Sequence, residues 1–491
     1  MNELPRELYR TEQSQELDRL ASAVHGIPAA TLMERAGRMA YRVLRRRWPE
    51  ARRICIVCGG GNNAGDGYVV ARFALRDGLD VRVLALIEPQ RLQGAAGAAA
   101  KAYLELGEAE PFRAGALDDA EVIVDALLGT GLDRPVQGRF AEAIDAINAL
   151  CLPVLAVDIP SGIHGDSGQV MGVAVRAEAT PTFIALKRGL FTADAPAYTG
   201  AVTFSDLDVP AIVSSEIEPA ALRITAAQVN PWLAPRQRTA HKGHFGHVLV
   251  VGGDHGMGGA VRLAAEAAGR LGAGLITAVT RPEHVLPILA ARPEVMCRGV
   301  AGAEELEPLL ARASVVVLGP GLGNSDWSRR LFERCIAFDG PLVIDADGLN
   351  RLAQTPRRRD GWILTPHPGE AGRLLDCSAA EVQADRFAAA KVLQSRLGGV
   401  IVLKGAGSLI RGATLTWLCD RGNPGMASGG MGDLLSGIIG ALLAQGLDPE
   451  AAAVSGVWLH ALAADRAAAD GERGLLAADL FEHLRRLANL Q

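Results

Sequence analysis

Residues 54–76 read Ile54-Cys-Ile-Val-Cys58, then Gly59-Gly-Gly-Asn-Asn-Ala-Gly-Asp-Gly67, then Tyr68-Val-Val-Ala-Arg-Phe-Ala-Leu-Arg76. An apolar run of strand length leads through a glycine-rich turn into a helical pattern, the signature of a strand followed by a helix in a parallel sheet. A turn of this kind leaves backbone N–H groups and the positive end of a helix facing outward, a setting suited to pyrophosphate. Outward from it, Val81–Ile87, Val122–Asp125 and Val154–Asp158 are predicted strands of the first half, and Val248–Val251, Ile276–Val279, Val315–Leu318, Leu342–Ile344 and Val400–Leu403 of the second. Near-continuous Val, Ile and Leu with helices between them predict parallel sheets covered on both faces, so both halves are α/β.

The 491 residues exceed one ordinary core, and two large domains fit best. The polar, aperiodic stretch Ser214-Ser-Glu-Ile-Glu-Pro219 is the predicted boundary, with no sequence repeat relating the two sides. With 49% hydrophobic and 21% charged residues the chain is globular, and its 57 glycines favour many close-approach loops. A net charge of -5 excludes an electrostatic footprint for nucleic acid or anionic lipid, and the Arg45–Arg47 and Arg357–Arg359 runs read as solvated surface. The start lacks a basic-then-apolar leader and no long apolar run follows, so a cytoplasmic protein without a membrane partner is expected. The seven cysteines form no disulfide framework, and Cys55 and Cys58, three apart in a strand, point to opposite faces. His241, His244 and His247 lack an acidic or thiol neighbour and are not read as a metal site.

Gly59, Gly61 and Ala64 satisfy G-x-G-x-x-[GA], which raises an NAD-dependent dehydrogenase. That reading needs an acid at the end of the next strand. Asp80 has the right count but precedes the strand, and Glu88 comes too late. Two further strand ends converge on the same edge, Asp125-Ala-Leu-Leu-Gly-Thr-Gly131 and Asp158-Ile-Pro-Ser-Gly162. Ligands of an open parallel sheet bind beyond its carboxyl ends, so Asn63, Asp125, Asp158 and Ser161 are expected to share one site. Their amide, hydroxyl and carboxylate oxygens suit a weakly charged hard cation better than zinc. The plainer alternative, that each Asp caps its own turn, loses ground when several strand ends coincide.

In the second half, Val400-Ile-Val-Leu-Lys404 runs into Gly405-Ala-Gly-Ser408, placing a cation and N–H groups where phosphates could rest. Asn423-Pro-Gly-Met-Ala-Ser-Gly-Gly-Met-Gly-Asp433 then opens a helix predicted over Leu434–Leu443. Its glycines leave the helix start open to a transferring phosphoryl group, beside which Asp433 can take a proton from an attacking hydroxyl. A capped helix after a loop accounts for Asp433 but not for those glycines. Gly319-Pro-Gly-Leu-Gly323 and Thr365-Pro-His-Pro-Gly-Glu370 add two more turns after strands, and His367 alone reads as structural.

Leu32-Met-Glu-Arg-Ala-Gly37, Asn62–Gly67, Asp125–Gly131, Asp158–Gly162 and Phe183-Ile-Ala-Leu-Lys187 together resemble the NAD(P)H-hydrate epimerases over residues 1–215. The resemblance implies a Rossmann-like fold and K+ bound by Asn63, Asp125 and Ser161. It also implies hydrate contacts on Asn62, Asn63, Ala64, Gly65 and Asp66, on Gly129, Thr130, Gly131, Leu132, Asp133, Arg134 and Pro135, and on Asp158. Ala64 stands where that family usually has Gly. Asp158 is the candidate acid/base for inverting C6 of the hydrated ring.

Lys242-Gly-His-Phe-Gly-His-Val-Leu-Val-Val-Gly-Gly253, Gly319–Gly323, Thr365–Glu370, Lys404–Ser408 and Asn423–Asp433 resemble the ADP- or ATP-dependent NAD(P)H-hydrate dehydratases over residues 225–490. Implied here are a ribokinase-like fold, hydrate contacts on Ala260, His367, Asp433 and either Gly321 or Gly323, and nucleotide contacts on Lys404, Gly405, Ala406, Gly407, Ser408 and Gly432. Asp433 would be the general base, with Mg2+ on the phosphates of ADP or ATP. The two halves joined are the pattern of the bifunctional NAD(P)H-hydrate repair family, whose substrates are the hydrates of NADH and NADPH. A homo-oligomer is expected. The alternative is a ribokinase-type small-molecule kinase with an accessory nucleotide-binding domain.

Overall fold

In the computed structural model, which describes residues 4–489, the chain divides between Leu222 and Arg223. That point lies between the expected spans 1–215 and 225–490, whose outer ends at residues 1–3 and 490 fall outside the described residues.

The first unit is built on a parallel sheet of seven strands, in the spatial order Ala109–Pro111, Asp80–Ala85, Arg53–Cys58, Val122–Ala126, Val154–Ala156, Ala179–Phe183, Ala201–Ser205. The chain steps outward from Arg53–Cys58 in one direction, then returns and steps outward in the other. The crevice at that reversal is where a Rossmann-like sheet binds ligands. Alternation along the central strand feeds two separate cores: Ile54, Ile56 and Cys58 lie in one, Cys55 and Val57 in the other. The two cysteines therefore face apart, as their spacing predicts.

The glycine-rich segment is not a loop. The helix begins at Asn62 and runs to Arg76, so Asn63, Ala64, Gly65 and Asp66 all stand in its first turns. Its glycines serve packing more than turning. A Cβ on Gly65 would lie 2.5 Å from Met33 Sδ, and one on Gly67 would lie 2.6 Å from Ala126 Cβ. Gly59 makes the closest backbone approach of the segment, where a Cβ would meet Leu127 O at 1.8 Å. Ala64 carries its methyl into the core at 0% exposure, so this departure from the family's glycine does not narrow the crevice. Two strands end earlier than predicted, at Ala85 and Ala156. In the second case Asp158 has φ +69, which an extended strand cannot accommodate.

The second unit carries strands in the order Met296–Gly299, Leu275–Thr280, His247–Val251, Val315–Leu318, Leu342–Ile344, Trp362–Leu364, Val400–Leu403, all parallel, extended by antiparallel Ser408–Arg411 and Thr416–Cys419. The helix predicted from Leu434 starts at Met431, after Gly430 at φ +91, which brings Gly432 and Asp433 into its first turn. It packs closely on the helix Gly258–Arg270: a Cβ on Gly437 would meet Ala264 O at 2.0 Å. Residues 404–407 form the turn of a tight hairpin, and Ser408 begins its second strand. His241 caps a short turn and His247 bonds Thr277 Oγ1 at 2.7 Å. No helix among the described residues is long and apolar enough to cross a membrane.

Candidate active sites

In the first unit the strands ending at Cys58, Ala126 and Ala156 are neighbours, so their carboxyl ends open on one crevice. Asp125 is fully buried at 0% exposure. It accepts hydrogen bonds from Ser161 Oγ at 2.6 Å, Ser161 N at 2.8 Å and Leu127 N at 3.2 Å. Burial still pushes its pKa up to about 6, against the pull of those bonds. Asn63 donates Nδ2 to Leu128 O at 2.8 Å, while its Oδ1 is buried with no hydrogen-bond partner. Asn63, Asp125 and Ser161 thus come together around a buried, uncompensated carboxylate and an orphaned amide oxygen. The loop 129–135 borders this group, for a Cβ on Gly129 would lie 3.4 Å from Asn63 Cβ; Gly131, Asp133, Arg134 and Pro135 are exposed.

Asp158 follows the third of these strand ends. Its Oδ1 accepts hydrogen bonds from Lys187 Nζ at 2.5 Å, from Thr182 Oγ1 at 3.0 Å and from Phe183 N at 3.2 Å. Lys187 was part of a motif without an assigned role; a lysine in the apolar run Phe183–Leu190 was the available signal. Asp18, on the helix Thr11–Ala23, was not anticipated at all. Asp18 is exposed, yet desolvation by the protein packed around it pushes its pKa up to about 6, with Lys187 lowering it and Asp158 raising it. Asp66 is held well above the ordinary carboxylate value by burial, then by Asp158 and Asp18, against Lys187. Asp80 lies at the start of its strand, away from the carboxyl edge where a dehydrogenase places its ribose acid.

In the second unit the ammonium of Lys404 lies 2.8 Å from Asp345 Oδ1 and 3.7 Å from Glu370 Oε2. Burial works against its charge, but Asp345, Glu370 and Asp433 together hold its pKa above the usual lysine value. It is therefore locked among carboxylates instead of projecting from the turn. Asp345 also accepts Thr365 Oγ1 at 2.8 Å. A Cβ on Gly432 would lie 3.3 Å from Lys404 Nζ, which puts the start of the helix Met431–Ala444 against this group. Asp433 is pushed up to about 7 by burial and by Asp345, with relief from Lys404 and further repulsion from Asp347 and Glu370.

His367 caps the helix Pro368–Leu375, its Nδ1 accepting from Gly369 N at 3.0 Å and Glu370 N at 3.4 Å. Nε2 then carries the proton of the neutral ring, whose pKa burial lowers. Gly321 lies against Ala260, 3.1 Å from a Cβ built on the glycine, whereas Gly323 donates its N–H to Asp347 Oδ2 at 2.7 Å. In the 404–408 turn, Gly405 N donates to Ser408 Oγ at 3.3 Å and the buried guanidinium of Arg386 donates to Leu403 O, Lys404 O and Gly407 O. Asp345 and Asp347 were not singled out from the sequence and Glu370 was named only as the end of a motif, although Asp345 directly follows the strand Leu342–Ile344.

A family model described as NAD(P)H-hydrate dehydratase matches residues 248–486, and one described as YjeF-related protein N-terminus matches residues 29–189. A bifunctional NAD(P)H-hydrate repair enzyme of Coxiella burnetii is 53% identical over 489 residues, covering 98% of this chain and 99% of that one. The chain belongs to the bifunctional NAD(P)H-hydrate repair enzyme family. A second member of the family, from Escherichia coli K12, is 44% identical, covering 99% of this chain and 95% of its own. Among solved structures, a ribokinase-like superfamily protein of Enterococcus faecalis matches with a TM-score of 0.51 at 29% identity, covering 54% of this chain and 94% of its own. The family's dehydratase half therefore rests here on a ribokinase-like fold, and its epimerase half on the parallel Rossmann-like sheet.

Proposed function

We propose that residues 1–215 form an epimerase domain that interconverts the R and S hydrates of NADH and NADPH, and residues 225–490 a dehydratase domain that uses ADP or ATP to return the S hydrate to NAD(P)H. The observation that carries this reading is Asp433 in the first turn of a glycine-capped helix, its carboxyl pushed up to about 7 beside Lys404. A base of that strength takes a hydroxyl proton near neutral pH.

In the epimerase domain, the ring nitrogen's lone pair expels the C6 hydroxyl as water once a proton is supplied, and water returns to the opposite face with loss of a proton. Asp158 gives and takes that proton. Asn62, Asn63, Ala64, Gly65 and Asp66 on one side and Gly129–Pro135 on the other hold the hydrate. K+ fits the oxygens of Asn63, Asp125 and Ser161, as the orphaned Asn63 Oδ1 and the uncompensated Asp125 carboxylate support. Bound there, it would supply the positive charge that keeps Asp125 ionised and the crevice wall in place.

In the dehydratase domain, Ala260, Gly321 and His367 orient the hydrate so that its C6 hydroxyl faces the nucleotide. Asp433 accepts the hydroxyl proton as the oxygen attacks the terminal phosphorus, whose bond to the rest of the nucleotide breaks so that ATP departs as ADP or ADP as AMP, and the N–H groups at the helix start, Gly432 among them, stabilise the developing charge. Phosphate then leaves with the C6–O bond pair, C5 gives up a proton, and the 5,6 double bond is restored. Lys404 and the 404–408 turn, with Gly405, Ala406, Gly407 and Ser408, border the nucleotide. The carboxylates of Asp347 and Glu370 are hard donors that would hold Mg2+, which neutralises nucleotide phosphates. We take the enzyme to act in the cytoplasm as a homo-oligomer, with no nucleic acid or membrane partner.

The test is to supply mixed R and S hydrates with ADP or ATP and follow dihydronicotinamide absorbance, phosphate and epimer ratio together. Asp433→Asn stops dehydration and spares epimer exchange; Asp158→Asn does the reverse. A stable phosphorylated product would turn the reading to a kinase, and simultaneous loss of both reactions in either variant would contradict independent sites.

A further inference from the structure

Lys187 is almost entirely buried, its side chain 2% exposed, at the end of the two-residue strand Leu186–Lys187. Its ammonium donates to Asp158 Oδ1 at 2.5 Å, Thr182 Oγ1 at 3.1 Å and Phe183 O at 3.3 Å, which uses all three of its protons. Thr182 Oγ1 and Phe183 N also bond Asp158, again at Oδ1. Every side-chain hydrogen bond of Asp158 among the described residues therefore falls on a single oxygen, while the side chain keeps 18% of its surface open. Oδ2 is neither bonded nor among the buried orphan atoms. Asp158 itself adopts φ +69, a left-handed backbone conformation uncommon for a residue other than glycine.

Asp158, after the strand Val154–Ala156, is the carboxylate bonded to this ammonium, and the charges of both act on two further carboxylates, Asp66 from the helix Asn62–Arg76 and Asp18 from the helix Thr11–Ala23. Lys187 is the positive charge that acts on both Asp18 and Asp66. We propose that Lys187 is a positioning residue of the epimerase site, pinning Oδ1 of Asp158 so that Oδ2 alone meets the hydrate, and supplying the charge that offsets Asp18 and Asp66. This inference rests on reading Asp158 as the acid/base. It goes further in stating that the competence of Asp158 depends on a buried cation, and that a carboxylate on a separate helix opposes it.

The experiment measures epimer exchange against pH in the full-length enzyme and in its Lys187→Met and Asp18→Asn variants. Removing the cation makes ionisation of the cluster harder, so Lys187→Met moves the acid limb to higher pH and lowers kcat by about a hundredfold with KM within a few-fold, in line with loss of acid/base assistance. Removing an anion has the opposite sign, and Asp18→Asn moves the acid limb to lower pH. A buried ion pair that merely tethers two elements would not produce limbs displaced in opposite directions. Wild-type kcat in Lys187→Met, an unmoved limb in Asp18→Asn, or displacement of both limbs in one direction overturns the proposal. Should Lys187→Met fail to fold, the Asp18→Asn limb decides alone. Asp158→Asn, assayed alongside, separates the outcomes: full activity there removes the underlying reading, whereas its loss with unmoved limbs in the other two variants removes only this inference.

Discussion

Withdrawal of K+ is predicted to destabilise the N-terminal unit at neutral pH and hardly at all in acid. Asp125 is completely buried, and its pKa stands at about 6 in the folded protein against an ordinary value of 3.8. A folded pKa above the unfolded one means that the cation-free native state holds a proton which the unfolded chain has already released. Stability from that proton is present at low pH and is lost as pH rises through about 6. The full difference is worth about 3 kcal/mol, of which about 2 kcal/mol falls between pH ~4.5 and ~7.5. A cation on the ionised carboxylate removes this cost, so stabilisation by K+ grows by the same amount across that range. For a unit of this size it corresponds to a widening of roughly 4 to 8 °C in Tm. Thermal inactivation of epimer exchange in potassium chloride against choline chloride measures it, with dehydration by the same sample as an internal reference. A K+ effect equal at both pH values, or one that survives Asp125→Asn, would refute the argument.

Dehydration should show an acid limb near pH 7, because the Asp433 carboxyl is pushed up to about 7 and only its ionised form accepts a proton. Below that point kcat/KM falls about tenfold per pH step, followed as recovery of dihydronicotinamide absorbance; a flat profile would remove Asp433 as the base. Gly321→Ala should raise KM for the hydrate and leave epimer exchange untouched. The residue has φ +56 and its new Cβ would lie 2.8 Å from both Met257 Cβ and Met257 O, so the turn must shift, at a conformational cost of about 1–2 kcal/mol. Unchanged dehydration kinetics in that variant would place the hydrate elsewhere.

The strands were legible because residues buried on both faces of a parallel sheet form unbroken apolar runs, and the predicted strand Val400–Leu403 is reproduced to the residue. Strand ends were less so. Asp158 follows Val157 with no local sign that its φ turns positive, and Ala156 already ends the strand. The glycines of Gly59–Gly67 announced a close approach but not its object. Only the packing of this helix on its neighbours reveals that Gly65 yields to Met33 of the helix Ala29–Arg47 and Gly67 to Ala126 of the strand Val122–Ala126. Of the four residues expected to share one site, Asp125 and Ser161 bond each other and both Asn63 and Ser161 bond Leu128 O, whereas Asp158 bonds Lys187, Thr182 and Phe183 instead. The pairs Lys187–Asp158 and Lys404–Asp345 were not legible, since they join residues 29 and 59 positions apart with no periodic signal between them.

The fit of those two helical glycines makes one side of the epimerase crevice unyielding. Any added atom at Gly65 or Gly67 would drive the helix off its neighbours and carry Asn63 and Asp66 with it. The opposite side, where Gly131, Asp133, Arg134 and Pro135 stand exposed, bears no such constraint. Engineering the enzyme toward coenzyme analogues with bulkier rings should therefore randomise that rim and leave the helical wall untouched.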